Sequence, residues 1–232
     1  MQKSRPTPPT DDRTVQTAGT PPARGRGRPR AFDREAALTQ ATRLFWSKGY
    51  EATSIADLTE AMGIGSPSLY AAFGSKEALY LEAVNHYRKS YEGLVWGRFF
   101  TAGTAREAVM GLLMDSAAAL TGCRGDIPRG CMVTLSAVGS EGHAELGEVL
   151  RSARASAVGI LTERLTRAVA EGEIPASVDL HALARFVQTV QAGMSILARD
   201  GAERAELEAV AEVAMQGWDA RVGGRPAPQP AS

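Results

Sequence analysis

Between Asp33 and Ser75 the chain carries helix start and stop signals so closely spaced that only short helices fit between them. Asp33 can accept from the free amides at a helix start, and Gly49 ends that helix after Lys48. Ser54 followed three residues later by Asp57 has the spacing of a capping box, and Gly63 stops the segment. Ser66 is placed to cap a third helix whose first residue, Pro67, lacks an N–H that would be unpaired there anyway. Gly74 breaks that helix and Ser75 caps the next, with Glu77 in its first turn facing the positive end of the dipole. Leu38, Ala41, Leu44 and Phe45 on the first helix, and Ile55, Leu58 and Met62 on the second, supply inward stripes. A longer helix followed by two short ones across the tight Gly63-Ile64-Gly65 turn is a tri-helical helix-turn-helix. Its third helix can enter a major groove about 12 Å wide.

The rest of the chain shows no useful alternating pattern, whereas alanine is abundant and apolar residues recur at helical spacing, so the expected fold is all-α. Thr104 with Glu107 marks a further helix start, and Pro128 opens a short apolar piece over 128–139. A long helix is expected over 141–171, with Leu146, Leu150, Ala153, Ala157, Ile160 and Leu165 on one face; two more follow near 179–200 and 203–221. Two folded units are expected, a helix-turn-helix DNA-binding domain over 31–78 and a helical domain over 79–222. Residues 1–30 and 223–232 are too poor in large apolar side chains to offset ordering entropy and are expected to be disordered tails.

Composition excludes several classes. No apolar stretch approaches the roughly 18 residues of a membrane span, and the N-terminus lacks the apolar core of a signal peptide, so a cytoplasmic location is expected. The two cysteines, Cys123 and Cys131, fit neither a Cys-x-x-Cys pair nor a zinc site, and His143 and His181 lie far apart and are expected at the surface or at helix caps. No metal and no cofactor is expected. No nucleophile elbow, phosphate loop or dinucleotide fingerprint occurs, which argues against an enzyme. The formal net charge of zero conceals an uneven distribution: residues 1–30 hold seven Lys or Arg against two Asp. That basic arm suits a polyanion.

On a helical wheel of the third helix, Leu69 and Phe73 point inward, leaving Pro67 and Ala71 outermost, flanked by Ser68 and Tyr70. These four are the expected DNA-facing residues, with packing of Tyr70 the alternative. The words Thr53-Ser54-Ile55-Ala56-Asp57-Leu58, Met62-Gly63-Ile64 and Ser68-Leu69-Tyr70-Ala71-Ala72-Phe73-Gly74-Ser75-Lys76-Glu77-Ala78-Leu79 resemble the DNA-binding signature of the TetR family. The resemblance runs from about Ala31 to Tyr87 and includes Gly49-Tyr50. It implies a sequence-specific transcription regulator, in the main a repressor released from a palindromic operator by a small molecule. It also implies DNA contacts from Ser54, Ser68, Tyr70 and Ala71 and a phosphate contact from Lys76, which could otherwise be a solvated first-turn residue. The chain departs from many relatives in having no Lys, Arg, His, Asn or Gln over Pro67 to Ala72. Bidentate reading of guanine or adenine by this helix is therefore excluded, leaving thymine methyls, hydroxyl bonds and shape.

Arg26, Arg28 and Arg30 lie in an Arg-Gly-Arg-Pro context similar to an AT-hook, which would grip a narrow A·T-rich minor groove; a nonspecific basic tail is the alternative. Leu183, Val187, Val190 and Met194, with Leu207, Val210, Ala214 and Trp218, form stripes on the last two helices. The resemblance implies that these pair across a twofold axis in a homodimer, although the same stripes could fold back on their own chain. It also implies an effector pocket for an apolar or amphipathic molecule, for which Met110, Met114, Cys131, Met132 and Phe186 are candidates; ordinary core packing is the alternative. Cys131 beside Arg129 raises a further option, a thiol sensor of oxidants or electrophiles, against the reading of a small buried hydrophobe. An architectural A·T-rich DNA binder without a ligand switch, and a protein-binding helical adaptor, are the remaining rivals.

Overall fold

The computed structural model describes residues 33–123, 125, 127–136 and 143–223, in which ten α-helices and no strand occur. The expected arm with Arg26, Arg28 and Arg30 and most of the C-terminal tail lie outside the described residues. Helices α1 (Arg34–Lys48), α2 (Ile55–Met62), α3 (Ser66–Phe73) and α4 (Lys76–Tyr91) build the N-terminal part. Helices α5 (Gly93–Thr101), α6 (Ala105–Leu120), α7 (Met132–Leu135), α8 (Ala144–Ala170), α9 (Leu180–Arg199) and α10 (Arg204–Val222) follow.

The caps explain the boundaries. The Asp33 carboxylate accepts from the amides of Glu35 and Ala36, and Ser54 and Asp57 form a reciprocal capping box. Gly63 is left-handed at φ 65°, where its amide reaches Glu60 O and that of Ile64 reaches Thr59 O, so the turn into α3 closes as a Schellman motif. The third helix starts one residue earlier than expected. Gly65, not Ser66, is its cap, because the Gly65 carbonyl already accepts from Ser68 and Leu69, leaving Pro67 second and the Ser66 hydroxyl without a capping bond. The apolar piece over 128–139 is helical only in α7, and α5 is a helix of its own that no sequence signal marked.

Two hydrophobic cores form. One joins α1–α4, with Phe45, Leu58, Leu69 and Tyr80 buried, and is completed by Met132 and Val133 of α7 and Leu146 and Leu150 of α8. Helix α4 runs through the expected domain boundary at 78 and gives Leu79 to Tyr87 to this core. The second core surrounds α6, whose alanines are buried on nearly every side, and collects Leu161 and Leu165 of α8, Val187 of α9 and Trp218 of α10. No helix among the described residues is long and apolar enough to cross a membrane.

Packing corrects two groups of expected site residues. Of the eight interface candidates, Leu183, Val187, Met194, Leu207, Ala214 and Trp218 are buried in the chain's own core. Both helices are apolar on two sides, and the stronger stripe serves intramolecular packing first, as burial of the larger apolar area demands. Val190 is half-buried, and Val210 is exposed together with Phe186, Ile196, Leu197 and Val213. Among the pocket candidates, Met110 and Met114 of α6 pack against the second core, Met132 is buried in the first, and Phe186 lies on the outer surface over Gly217. Only Cys131 reaches the cavity described below.

Candidate nucleic-acid interface

Helix α3 is held by its inner side alone. Leu69 and Phe73 are buried, while Pro67, Ser68, Tyr70 and Ala71 are all exposed. Tyr70 is 48% exposed, and among the described residues its hydroxyl has no partner, so packing does not account for it. A large amphipathic ring with a free hydroxyl on an outward helix face is suited to an external polar surface.

Side-chain contacts join α3 to its neighbouring helices. Arg34 of α1, which no sequence pattern singled out, donates to Ala72 O at the end of α3 and pairs with Glu82 of α4 at 2.8 Å. Its guanidinium also lies 4.3 Å from the centroid of the Phe73 ring. Ser54 is exposed, but its hydroxyl donates to Asp57 and accepts from the Asp57 amide, so a phosphate would have to share a cap already in use. Lys48 reaches the same carboxylate at 2.9 Å. Amide donation from Ser54, then Lys48 and the Ser54 hydroxyl, hold the Asp57 carboxyl well below the usual carboxylate range. The Lys76 ammonium sits 4.2 Å from the centroid of the Tyr50 ring, a cation–π contact that aims it across the start of α4. The Tyr50 hydroxyl donates to Glu77 at 2.9 Å; burial and that carboxylate push its pKa up, while the Glu77 amide and then Tyr50 hold the Glu77 carboxyl down. With the Asp57 and Glu77 values lowered by folding, their contribution is complete only above roughly pH 5 and drains away as acid protonates them.

The α1–α4 part is tied to the remaining helices by a compact set of bonds. Trp46 of α1 donates its indole N–H to Gly130 O at 2.9 Å in a buried position. Arg199, at the end of α9, donates to Trp46 O and Ser47 O, the last-turn carbonyls of α1, at 2.8 Å each, and to Arg129 O. Between them, the Cys131 amide donates to Ser195 Oγ at 2.8 Å, and the Tyr87 hydroxyl of α4 donates to Cys131 Sγ at 3.3 Å. His143, at the start of α8, makes no capping bond but packs edge-on against Tyr50 at 4.8 Å, a second tie between the two regions.

Behind this junction lies a cavity of about 370 Å³ between α4, α5, the end of α6, α7, α8 and α9, with Tyr87, Tyr91, Trp96, Cys131 and Arg154 on its wall. Among the described residues no group of three or more His, Cys, Asp or Glu is placed to hold a metal. Sequence reasoning found Cys131 alone because the other wall residues come from separate helices; the Tyr87–Tyr91 pair, four residues apart, was the available signal.

Residues 37–83 match the family model described as bacterial regulatory proteins, tetR family. Over 198 residues the chain is 37% identical to the HTH-type transcriptional repressor ComR of Escherichia coli K12, covering 84% of this chain and 93% of the relative. The chain belongs to the tetR family. This tetR-family chain is thereby a DNA-binding transcriptional regulator. It is also similar to a solved cysteine mutant of the TetR family transcriptional regulator CifR complexed with 26-bp double-strand operator DNA. That likeness has a TM-score of 0.77 at 41% identity, covering 83% of this chain and 100% of that one. A TetR transcriptional regulator from Rhodococcus sp. RHA1 is 41% identical with a TM-score of 0.53, covering 78% of this chain and 96% of its own. The family match runs from within α1 to the middle of α4, the segment in which the outward face of α3 lies.

Proposed function

We propose that this tetR-family regulator is a homodimeric repressor that presents α3 to a major groove twice and leaves a palindromic operator when a small molecule enters the cavity. The observation that carries the reading is the one-sided burial of α3, with Leu69 and Phe73 inside and Pro67, Ser68, Tyr70 and Ala71 outside. The similarity to a regulator solved on operator DNA supports it. Selection of bound fragments from random duplex DNA is expected to return a palindrome with half-site centres about one helical turn, roughly 34 Å, apart. Fragments sharing only A·T richness would instead support an architectural binder.

The dimer surface is proposed on the outer stripes of α9 and α10, where Phe186, Leu197, Val210 and Val213 stay exposed. Val213 is 66% exposed, so Val213→Glu leaves the chain's own core untouched. The expected result is a halved particle mass by light scattering and a loss of operator affinity of at least tenfold; an unchanged mass rules this surface out.

The basic arm is proposed to add contacts through Arg26, Arg28 and Arg30. Deleting residues 1–30 is expected to flatten the slope of log affinity against log salt by about 3, one released counterion for each arginine lost from the DNA. An unaltered slope would remove the arm from the interface. Thiol sensing is not favoured: Cys131 packs against the core and its sulfur already accepts from the Tyr87 hydroxyl.

A further inference from the structure

The cavity wall has an unbalanced charge. Glu92 is neutralised by Arg88 at 2.7 Å, whereas Arg154 and Arg185 have no carboxylate partner among the described residues. Arg154 uses one donor, Nη1 to Val133 O at 3.1 Å, and Arg185 one, Nη1 to Gln188 Oε1 at 3.0 Å. The remaining N–H groups of the half-buried Arg154 are unpartnered among the described residues, at a wall that also carries Tyr87, Tyr91, Trp96 and Leu120 beside Thr134, Gln188 and Gln191. A guanidinium partly removed from water and lacking an anion is costly, and it gains most from a planar oxyanion that takes two parallel bonds. The volume lies within the ordinary range for small-molecule sites, about 300–1,000 Å³.

We propose that the effector is an organic carboxylate with an aromatic or aliphatic body, its carboxylate held by Arg154 with Arg185 at the rim and its body against the Tyr87, Tyr91 and Trp96 rings. This rests on the reading of the cavity as the effector site. The geometry also supplies a route out. Arg154 holds Val133 O, and Val133 lies three residues beyond Gly130, whose carbonyl carries Trp46 of α1, and two beyond Cys131, whose amide is bonded to Ser195 of α9. An anion that draws the guanidinium inward competes for the bond that steadies α7, and so acts on the segment that docks α1.

The test compares 4-phenylbutyrate and decanoate with their neutral amides, 4-phenylbutanamide and decanamide, by isothermal titration and by release of a selected operator duplex. Each carboxylate is expected to bind at least tenfold more tightly than its amide. Arg154→Gln should erase that preference by lowering the affinity for each acid to that of its amide while the amides bind as they do to the parent, Arg154→Lys should retain part of it, and Arg185→Gln should reduce it by a few-fold. Equal binding of acid and amide, or no binding of either acid at millimolar concentration, overturns the proposal. Amides that release DNA as well as the acids leave the effector reading standing and remove only the charge requirement. Acids that bind with the expected preference without releasing DNA support the ligand class and remove the cavity's role in operator release.

Discussion

Replacing Gly130 by alanine is expected to destabilise the protein by about 2–5 kcal/mol, the sum of a left-handed backbone and an overpacked contact. Gly130 has φ 79°, and a Cβ there would stand 2.4 Å from Leu135 Cδ1 and 2.9 Å from the backbone carbonyl oxygen of Ser195. The leucine can turn away, but the carbonyl belongs to the backbone of α9, on its C-terminal part, and cannot. Relief requires the 130–135 segment to withdraw, which pulls Gly130 O from the Trp46 indole and the Cys131 amide from Ser195. Operator affinity should therefore fall together with the urea midpoint. An unfolding free energy within about 0.5 kcal/mol of the parent value, the range of ordinary surface substitutions, would show that this close approach is not maintained in solution.

Tyr70→Ala should behave in the opposite way, leaving the melting temperature unchanged and weakening operator binding tenfold or more. The side chain is 48% exposed and has no hydrogen-bond partner among the described residues, so the fold loses little with it. The same ring is the largest side chain on the outward face of α3, a helix that offers no basic residue in its place. Tyr70→Phe separates its two functions: retention of most affinity assigns the contact to the ring, and a loss matching that of alanine assigns it to the hydroxyl. Parent-like affinity for Tyr70→Ala would contradict the orientation proposed for α3 on DNA.

The helix-turn-helix was legible because its determinants are local. Asp33, the Ser54–Asp57 box and Gly63 act within three or four residues of themselves, and each does so in the structure. The inward pair Leu69 and Phe73 follows from one turn of helix. What was not legible depends on which surfaces meet. Arg34 locks α3 through residues 38 and 48 positions away, and Arg199 reaches Ser47 across 152. The stripes on α9 and α10 were visible, but helical spacing states only that a face is apolar. Whether it meets α6 or a second chain depends on the rest of the fold, which is why Leu183 and Trp218 proved internal while Val213 stayed outside. The cavity shows the same limit: six helices supply its wall, and no run of sequence contains its pattern.

Amide hydrogen exchange on the free protein and on its complex with a selected duplex tests the central claim most directly. The expected result is slowed exchange over residues 66–73 on DNA binding, with the α6 core unchanged. Full occupancy of the duplex with exchange over 66–73 left as in the free protein would show that α3 is not the element that meets DNA.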